Sequence, residues 1–284
     1  TLDDLGRSTS LAWTTAAGGF DTAVRRIDST YDANLGGVAT VTQYDATSSG
    51  NAVNAVRYTR DAWGNLLEYE FDRDSAMDAS PANEYSVSYA YEKATGGRKT
   101  LRKTDMTLPS GNVITYAYSS SSSNDDALSR VTQVKDGATV LAGYQYLGNG
   151  MVVGTNYAEP SVFSTLHNGA GTYDGLDRFS RITQNRWTKD LTTDRNFYDI
   201  SISYDRNNNI KSIEDNVHTG FDVKYSIDDI DRLSRAEEGT LVSGSISSRT
   251  RDQQWTLDHV GNWDEDKLDL NGDGDFSDTD EWDD

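Results

Sequence analysis

The 284-residue chain has no cysteine and only three prolines, Pro81, Pro109 and Pro160. The first absence removes disulfides, thiolate metal sites and cysteine nucleophiles, and it is neutral about compartment. The second leaves long stretches free to pair as strands. No apolar run approaches the ~18 residues a membrane helix needs, so a soluble segment without a membrane span is expected. Positive charge is also scarce: 26 Lys and Arg stand against 46 Asp and Glu, a formal charge of −20. Nucleic-acid partners are excluded on that ground, because binding a phosphate backbone requires clustered cations. Thr1 opens in mid-pattern without an initiator Met or signal peptide, and the chain is expected to be a piece of a longer protein.

Hydrophobic residues make up only 35% of the chain, yet it carries 16 Tyr, 6 Trp and 7 Phe. Such side chains pack a large apolar body while keeping a polar tip in water, which argues against disorder. The last 21 residues, Asp264 to Asp284, hold eleven acids and one lysine, so half of the net charge lies there.

One short pattern recurs seven times: Asp, any residue, usually an apolar residue, a small or turn-forming residue, then Arg or Asn. The copies begin at Asp3, Asp61, Asp126, Asp174, Asp205, Asp228 and Asp258, for example Asp61-Ala62-Trp63-Gly64-Asn65 and Asp174-Gly175-Leu176-Asp177-Arg178. Their spacings of 58, 65, 48, 31, 23 and 30 residues show no fixed period. Asp bonds its own backbone two residues on, and Gly, Asn or Asp next tolerates a positive φ, so each copy reads as a tight turn. The flanks alternate with period two, as in Tyr85, Val87, Tyr89 and Tyr91 or Phe221, Val223, Tyr225 and Ile227. The unit is strand, turn, strand, and helix should be scarce. Ser119 to Asn124, Asp74 to Asn83 and Gly239 to Ser248 read as insertions between units, and Gly148-Asn149-Gly150 as a hairpin turn rather than a phosphate cradle.

With its tyrosines included, Tyr173-Asp174-Gly175-Leu176-Asp177-Arg178, Tyr204-Asp205-Arg206-Asn207-Asn208-Asn209 and Trp255-Thr256-Leu257-Asp258-His259-Val260-Gly261-Asn262 resemble the YD repeats of Rhs proteins, toxin-complex C subunits and teneurins. The resemblance implies an all-β antiparallel hairpin ribbon that spirals into part of a hollow shell. In bacterial Rhs proteins and toxin-complex C subunits such a shell encloses a C-terminal toxin; in teneurins it serves adhesion. No proline here follows an Asp, so the self-cleaving core motif with which Rhs shells end is missing.

Asp269 to Asp280, in the sequence Asp-Leu-Asn-Gly-Asp-Gly-Asp-Phe-Ser-Asp-Thr-Asp, fits a calcium-loop template. Asp269, Asn271, Asp273, Asp275, Ser277 and Asp280 are the expected oxygen ligands, with Gly274 at the sharp bend and Asp275 serving through its carbonyl. The competing reading is an acidic solvated turn. Asp280 in place of Glu resembles dockerin-type loops, and hard oxygens suit Ca²⁺ rather than a transition metal.

The expected organisation is a YD-repeat β region over 1–263 and an acidic calcium-binding segment over 264–284. The expected role is a non-catalytic scaffold in an exported bacterial protein, extracellular or at the cell surface. Its partners would be neighbouring repeats of a longer chain or identical subunits, with an enclosed toxin or a cell-surface ligand. Two alternatives stay open: an adhesin or carbohydrate-binding module acting through loops such as Ser119 to Asp126, and a hydrolase using two carboxylates. His167, His218 and His259 share no metal spacing, and no nucleophile elbow or nucleotide fingerprint is present.

Overall fold

The computed structural model describes residues 1–14, 21–79, 81–92, 101–119, 123–148, 150–167, 171–189, 195–279 and 281–283. They are all-β. Apart from strands, the described residues hold only a four-residue helix, α1 (Asn124–Ala127), and one 3-10 turn at Pro81–Asn83. The chain forms two units, Thr1–Val140 and Leu141–Asp284.

In the first unit the strands are β1 (Ser10–Ala12), β2 (Arg26–Tyr31), β3 (Val38–Tyr44), β4 (Ala52–Arg60), β5 (Leu66–Asp72), β6 (Glu84–Glu92), β7 (Arg102–Thr107), β8 (Val113–Tyr118) and β9 (Val131–Asp136). Each pairs antiparallel with the next. The second unit takes up the same meander with β10 (Thr139–Leu147), β11 (Met151–Tyr157), β12 (Val162–Thr165), β13 (Gln184–Lys189), β14 (Arg195–Tyr204) and β15 (Ile210–Asp215). It continues through β16 (Asp222–Ile227), β17 (Leu233–Val242), β18 (Ser245–Leu257), β19 (Trp263–Asp269) and β20 (Trp282–Asp283), again each strand on the next.

Few apolar side chains are buried among the described residues. They are Ala55 in the first unit and Ala142, Val153, Leu166 and Leu268 in the second. Carboxylates occupy comparable positions: Asp72, Asp252 and Asp269 have no exposed surface at all, and Asp126, Asp199, Asp222 and Glu237 are also buried. Most strand residues in each unit are half-covered, and aromatic rings pack against their lateral neighbours. Tyr58 lies over Tyr69 at 5.4 Å between ring centres, and Tyr157 stacks on Trp187 at 6.0 Å.

The Gly239 to Ser248 stretch is not an insertion. β17 and β18 run through it and turn at Ser243-Gly244, where φ values of 52° and 81° give the mirror-image turn whose twist suits a two-residue hairpin. Serine accepts the left-handed conformation here because strand pairing on both sides fixes it. Of the other stretches read from the sequence, Ser120 to Ser122, Ser80 and Asn149 lie outside the described residues.

Candidate functional site

The recurring pentad closes in the same way at five of the expected positions. At Asp228, its N–H donates to the Arg232 carbonyl (2.8 Å), and the Asp228 carbonyl accepts from Asp231 N–H (3.1 Å). One carboxylate oxygen, Oδ1, accepts from the backbone of Ile230 (3.0 Å) and Arg232 (2.8 Å). The other receives the Arg232 guanidinium at 2.7 Å. Asp3 repeats the arrangement with Arg7, and Asp61, Asp205 and Asp258 repeat it with Asn65, Asn209 and Asn262. This explains the alternation of Arg and Asn at the fifth place: each can reach back four residues with an N–H. The donors hold these carboxylates below the ordinary aspartate value. The leading cause is the backbone N–H of the fifth residue at Asp3 and Asp228, and the Asn side chain at Asp61 and Asp258. At Asp205 burial pushes upward, but the donors of Asn209 and Asn207 and the Arg181 charge together outweigh it.

Two sequence assignments change. The turn at the fourth copy is closed by Asp177 and Arg181, not by Asp174: Asp177 N–H meets the Arg181 carbonyl at 2.9 Å, and its carboxylate takes Phe179 N–H, Arg181 N–H and the Arg181 guanidinium. Both aspartates satisfy the residue pattern, and only pairing geometry chooses between them. Asp126 does not form the pentad turn either. Ser123 caps the short helix α1, and Asp126 is buried against Arg102, whose Nη1 donates at 2.9 Å.

The sequence pattern also missed turns. Asp32 closes a turn one residue longer, with Gly37, and Asp45 closes one with Asn51. With Asp32 and Asp177 in place, a period emerges that the sequence spacings had hidden. Asp3, Asp32 and Asp61 are 29 residues apart, and Asp177, Asp205, Asp228 and Asp258 follow at 28, 23 and 30. A Tyr directly before each of Asp32, Asp45 and Asp205 was the available signal.

Adjacent turns are bonded to one another. Arg7 of the first turn donates to the Gly36 carbonyl of the next (3.1 Å) and lies over the Tyr31 ring at 4.2 Å, while Tyr31 returns its hydroxyl to the Ser8 carbonyl (2.7 Å). The second unit repeats this. Arg181 reaches the Asp205 carbonyl (3.2 Å) and lies 4.5 Å over Tyr204, whose hydroxyl donates to the Ile182 carbonyl at 2.8 Å. Arg232 reaches the Asp258 carbonyl at 2.6 Å. The Tyr, Asp and Arg of the motif thus have separate tasks: Asp shapes a turn, and Arg and Tyr tie it to its neighbour.

The acidic loop spans the connection from β19 to β20. Asp269 is fully buried and accepts N–H groups from Asn271 (3.1 Å), Gly272 (2.5 Å) and Gly274 (2.8 Å). Asn271, Asp273 and Asp275 in turn accept from the backbone of Asp273, Asp275 and Ser277. The loop is pressed onto β18: a Cβ on Gly272 would stand 2.3 Å from the Arg249 carbonyl. Of the expected ligands, Asp280 lies outside the described residues. Two residues not singled out from the sequence join the loop. Asp278 accepts from Asn271 at 2.9 Å, and Glu281 accepts from Leu270 N–H at 2.8 Å through Oε1. Glu281 Oε2 is buried with no hydrogen-bond partner among the described residues. No three carboxylates or imidazoles are gathered around a common point among the described residues.

The histidines stay apart. His167 bonds Gln145, His218 faces Asp215 at 3.2 Å, and His259 rides in the Asp258 turn. No helix among the described residues is long and apolar enough to cross a membrane.

The fold and the stitched turns together define a hairpin-repeat ribbon. Its likeness to solved structures is to Tc toxin proteins. Over 98% of this chain, the Photorhabdus luminescens Tc holotoxin pore carrying a TccC3 variant matches with a TM-score of 0.53 at 12% identity. Over 95% of it, the crystal structure of TcdB2-TccC3-TEV matches with 0.51 at 14% identity. The chain spans about 15% of the length of those proteins, and at such identities the likeness is one of fold. No protein-family model and no curated protein matches the chain by sequence.

Proposed function

We propose that this chain is a non-catalytic stretch of wall in a large exported YD-repeat protein of the Rhs type, a ribbon whose task is to enclose or display something else. The observation that carries the reading is the stitch of Arg181, Tyr204 and Asp205, repeated at Arg7, Tyr31 and Gly36, on a fold shared with Tc toxin proteins. Every recurring side chain is consumed in shaping a turn or joining two turns. The turn aspartates, which a hydrolytic pair would otherwise draw on, are already bonded within their turns. The expected partners are further repeats of the parent chain, and the cargo by analogy is a toxin. An extracellular or cell-surface site goes with this reading.

Calcium belongs to the proposal as a local stiffener. Asp269, Asn271, Asp273, Asp275, Ser277 and Asp280 would hold it, and the buried, unpartnered oxygen of Glu281 adds a further hard donor beside them. The ion would supply charge to an otherwise self-repelling run of acids.

Electron microscopy of the full-length natural protein tests the wall. A closed hollow particle is expected. An open fibre or surface array would remove the cargo reading and favour an adhesive protein.

A further inference from the structure

One cavity in the second unit borders the stitch of Arg181, Tyr204 and Asp205 and adds residues that the stitch does not use. It measures about 1090 Å³ and lies between the Asp177 and Asp205 turns, lined by Arg178, Phe179, Arg181, Tyr204, Asp205, Arg206, Asn208 and Lys211. Four of the eight are cations, in a chain with 20 more acidic than basic groups.

The cations are not there to balance local acids. Asp177 is already matched by Arg181 at 2.6 Å, and the Asp205 carboxylate is filled by the N–H groups of Asn207 and Asn209 and the Asn209 side chain. Arg178, Arg206 and Lys211 form no ion pair among the described residues. Arg178 rests its guanidinium 4.7 Å from the Phe179 ring centre, an arrangement that leaves its N–H edge free to donate. Lys211 is the extra residue of the bulge between Ser203 and Tyr204 on one strand and Ile210 and Ser212 on the other, and bulges re-aim side chains. Asn208, held at a φ of 73°, accepts the Arg181 guanidinium on its Oδ1 at 3.0 Å and leaves its Nδ2 at the rim, and the Phe179 ring, which Arg181 also approaches at 5.3 Å, is 63% exposed.

We infer that this cavity binds an acidic sugar, a pyranose unit bearing sulfate or carboxylate groups. Guanidinium and ammonium donors match the oxyanions, the Asn208 Nδ2 matches hydroxyls, and the exposed part of the Phe179 ring offers apolar contact. The volume suits a ligand of one or two rings. Three unpaired cations around one cavity, in a chain of opposite net charge, favour an anion here.

The experiment is calorimetric titration of the intact chain at low ionic strength. The probes are a heparin-derived sulfated disaccharide and digalacturonic acid, with cellobiose and sodium sulfate as controls. Saturable binding of an acidic disaccharide, absent for cellobiose, is expected, and whichever of the two binds identifies sulfate or carboxylate as the group read. Arg206→Ala and Lys211→Ala, both at exposed positions, should each weaken it about tenfold with an unchanged melting temperature, and Arg206→Lys should recover part of the loss. The inference is overturned if neither acidic sugar binds, if sodium sulfate displaces the sugar at equal concentration, or if the variants bind as tightly as the parent chain. It is also overturned if an Asp/Glu-rich peptide matching residues 264–284 binds there and the sugars do not.

Discussion

At the scale of single residues, the turn aspartates are an addition to a backbone frame that exists without them. Leu108 to Asn112 makes the same closure, with Leu108 N–H on the Asn112 carbonyl at 2.8 Å and Gly111 N–H on the Leu108 carbonyl at 2.8 Å, where no carboxylate is available. Asp supplies acceptors for the N–H groups left inside the turn, which would otherwise depend on water. Because these carboxylates are held below the ordinary value of 3.8 when folded, the unfolded chain binds more protons in the acid range.

Their contribution is therefore complete above about pH 5 and is lost as pH falls through 4 and below, so melting temperature should drop steeply there; a flat profile from pH 6 to 3 would show that the turn bonds carry no net stability. The stitch is tested separately by Tyr204→Phe, which removes one hydroxyl bond to the Ile182 carbonyl and keeps the ring under Arg181. A loss of about 1 kcal/mol in denaturant unfolding is expected.

At the scale of elements, two connections depend on close backbone approach. A Cβ on Gly239 would fall 2.0 Å from the Ser248 carbonyl, in the middle of the β17 and β18 pair. Gly239→Ala must therefore push the strands apart at a bulge, at a cost of about 2 kcal/mol or more by thermal or denaturant unfolding. Gly272→Ala should lift the acidic loop from β18 for the same reason. If the loop holds calcium, adding Ca²⁺ at about a hundredfold over Kd should stabilise the chain by about 2.7 kcal/mol, and chelation should reverse it. Asp269→Ala should abolish that response, and Glu281→Gln should weaken it. Equal melting temperatures with calcium and with chelator would remove the ion from the proposal. The buried carboxylates of the sheet form another element-scale device. Asp252 is held by Arg235 at 2.6 Å with Glu237 and Arg249 alongside, and it stands opposite Asp269 in the strand register. Asp252→Asn should cost about 2–3 kcal/mol by leaving these arginines short of a partner.

At the scale of the whole molecule, the Asp-rich turns, the strand alternation and the scarcity of helix were all legible from the residues, because each depends on chemistry within about six positions. Asp3, Asp61, Asp205, Asp228 and Asp258 closed the turns expected of them. What the sequence by itself determined is therefore a β-hairpin repeat protein with an acidic loop that fits a calcium-loop template. The tertiary structure alone decided which aspartate of Asp174 and Asp177 closes a turn, that Asp126 meets Arg102 instead, and that Asp32 restores the 29-residue spacing. It alone placed Asp252 opposite Asp269 and gathered Arg178, Arg206 and Lys211 around one cavity. The reason is physical: a turn is a contact between residues four apart, whereas register such as Asp252 on Asp269 joins residues 17 apart and lateral stitching joins residues more than twenty apart, and no local pattern encodes which of several chemically equivalent side chains the pairing brings together.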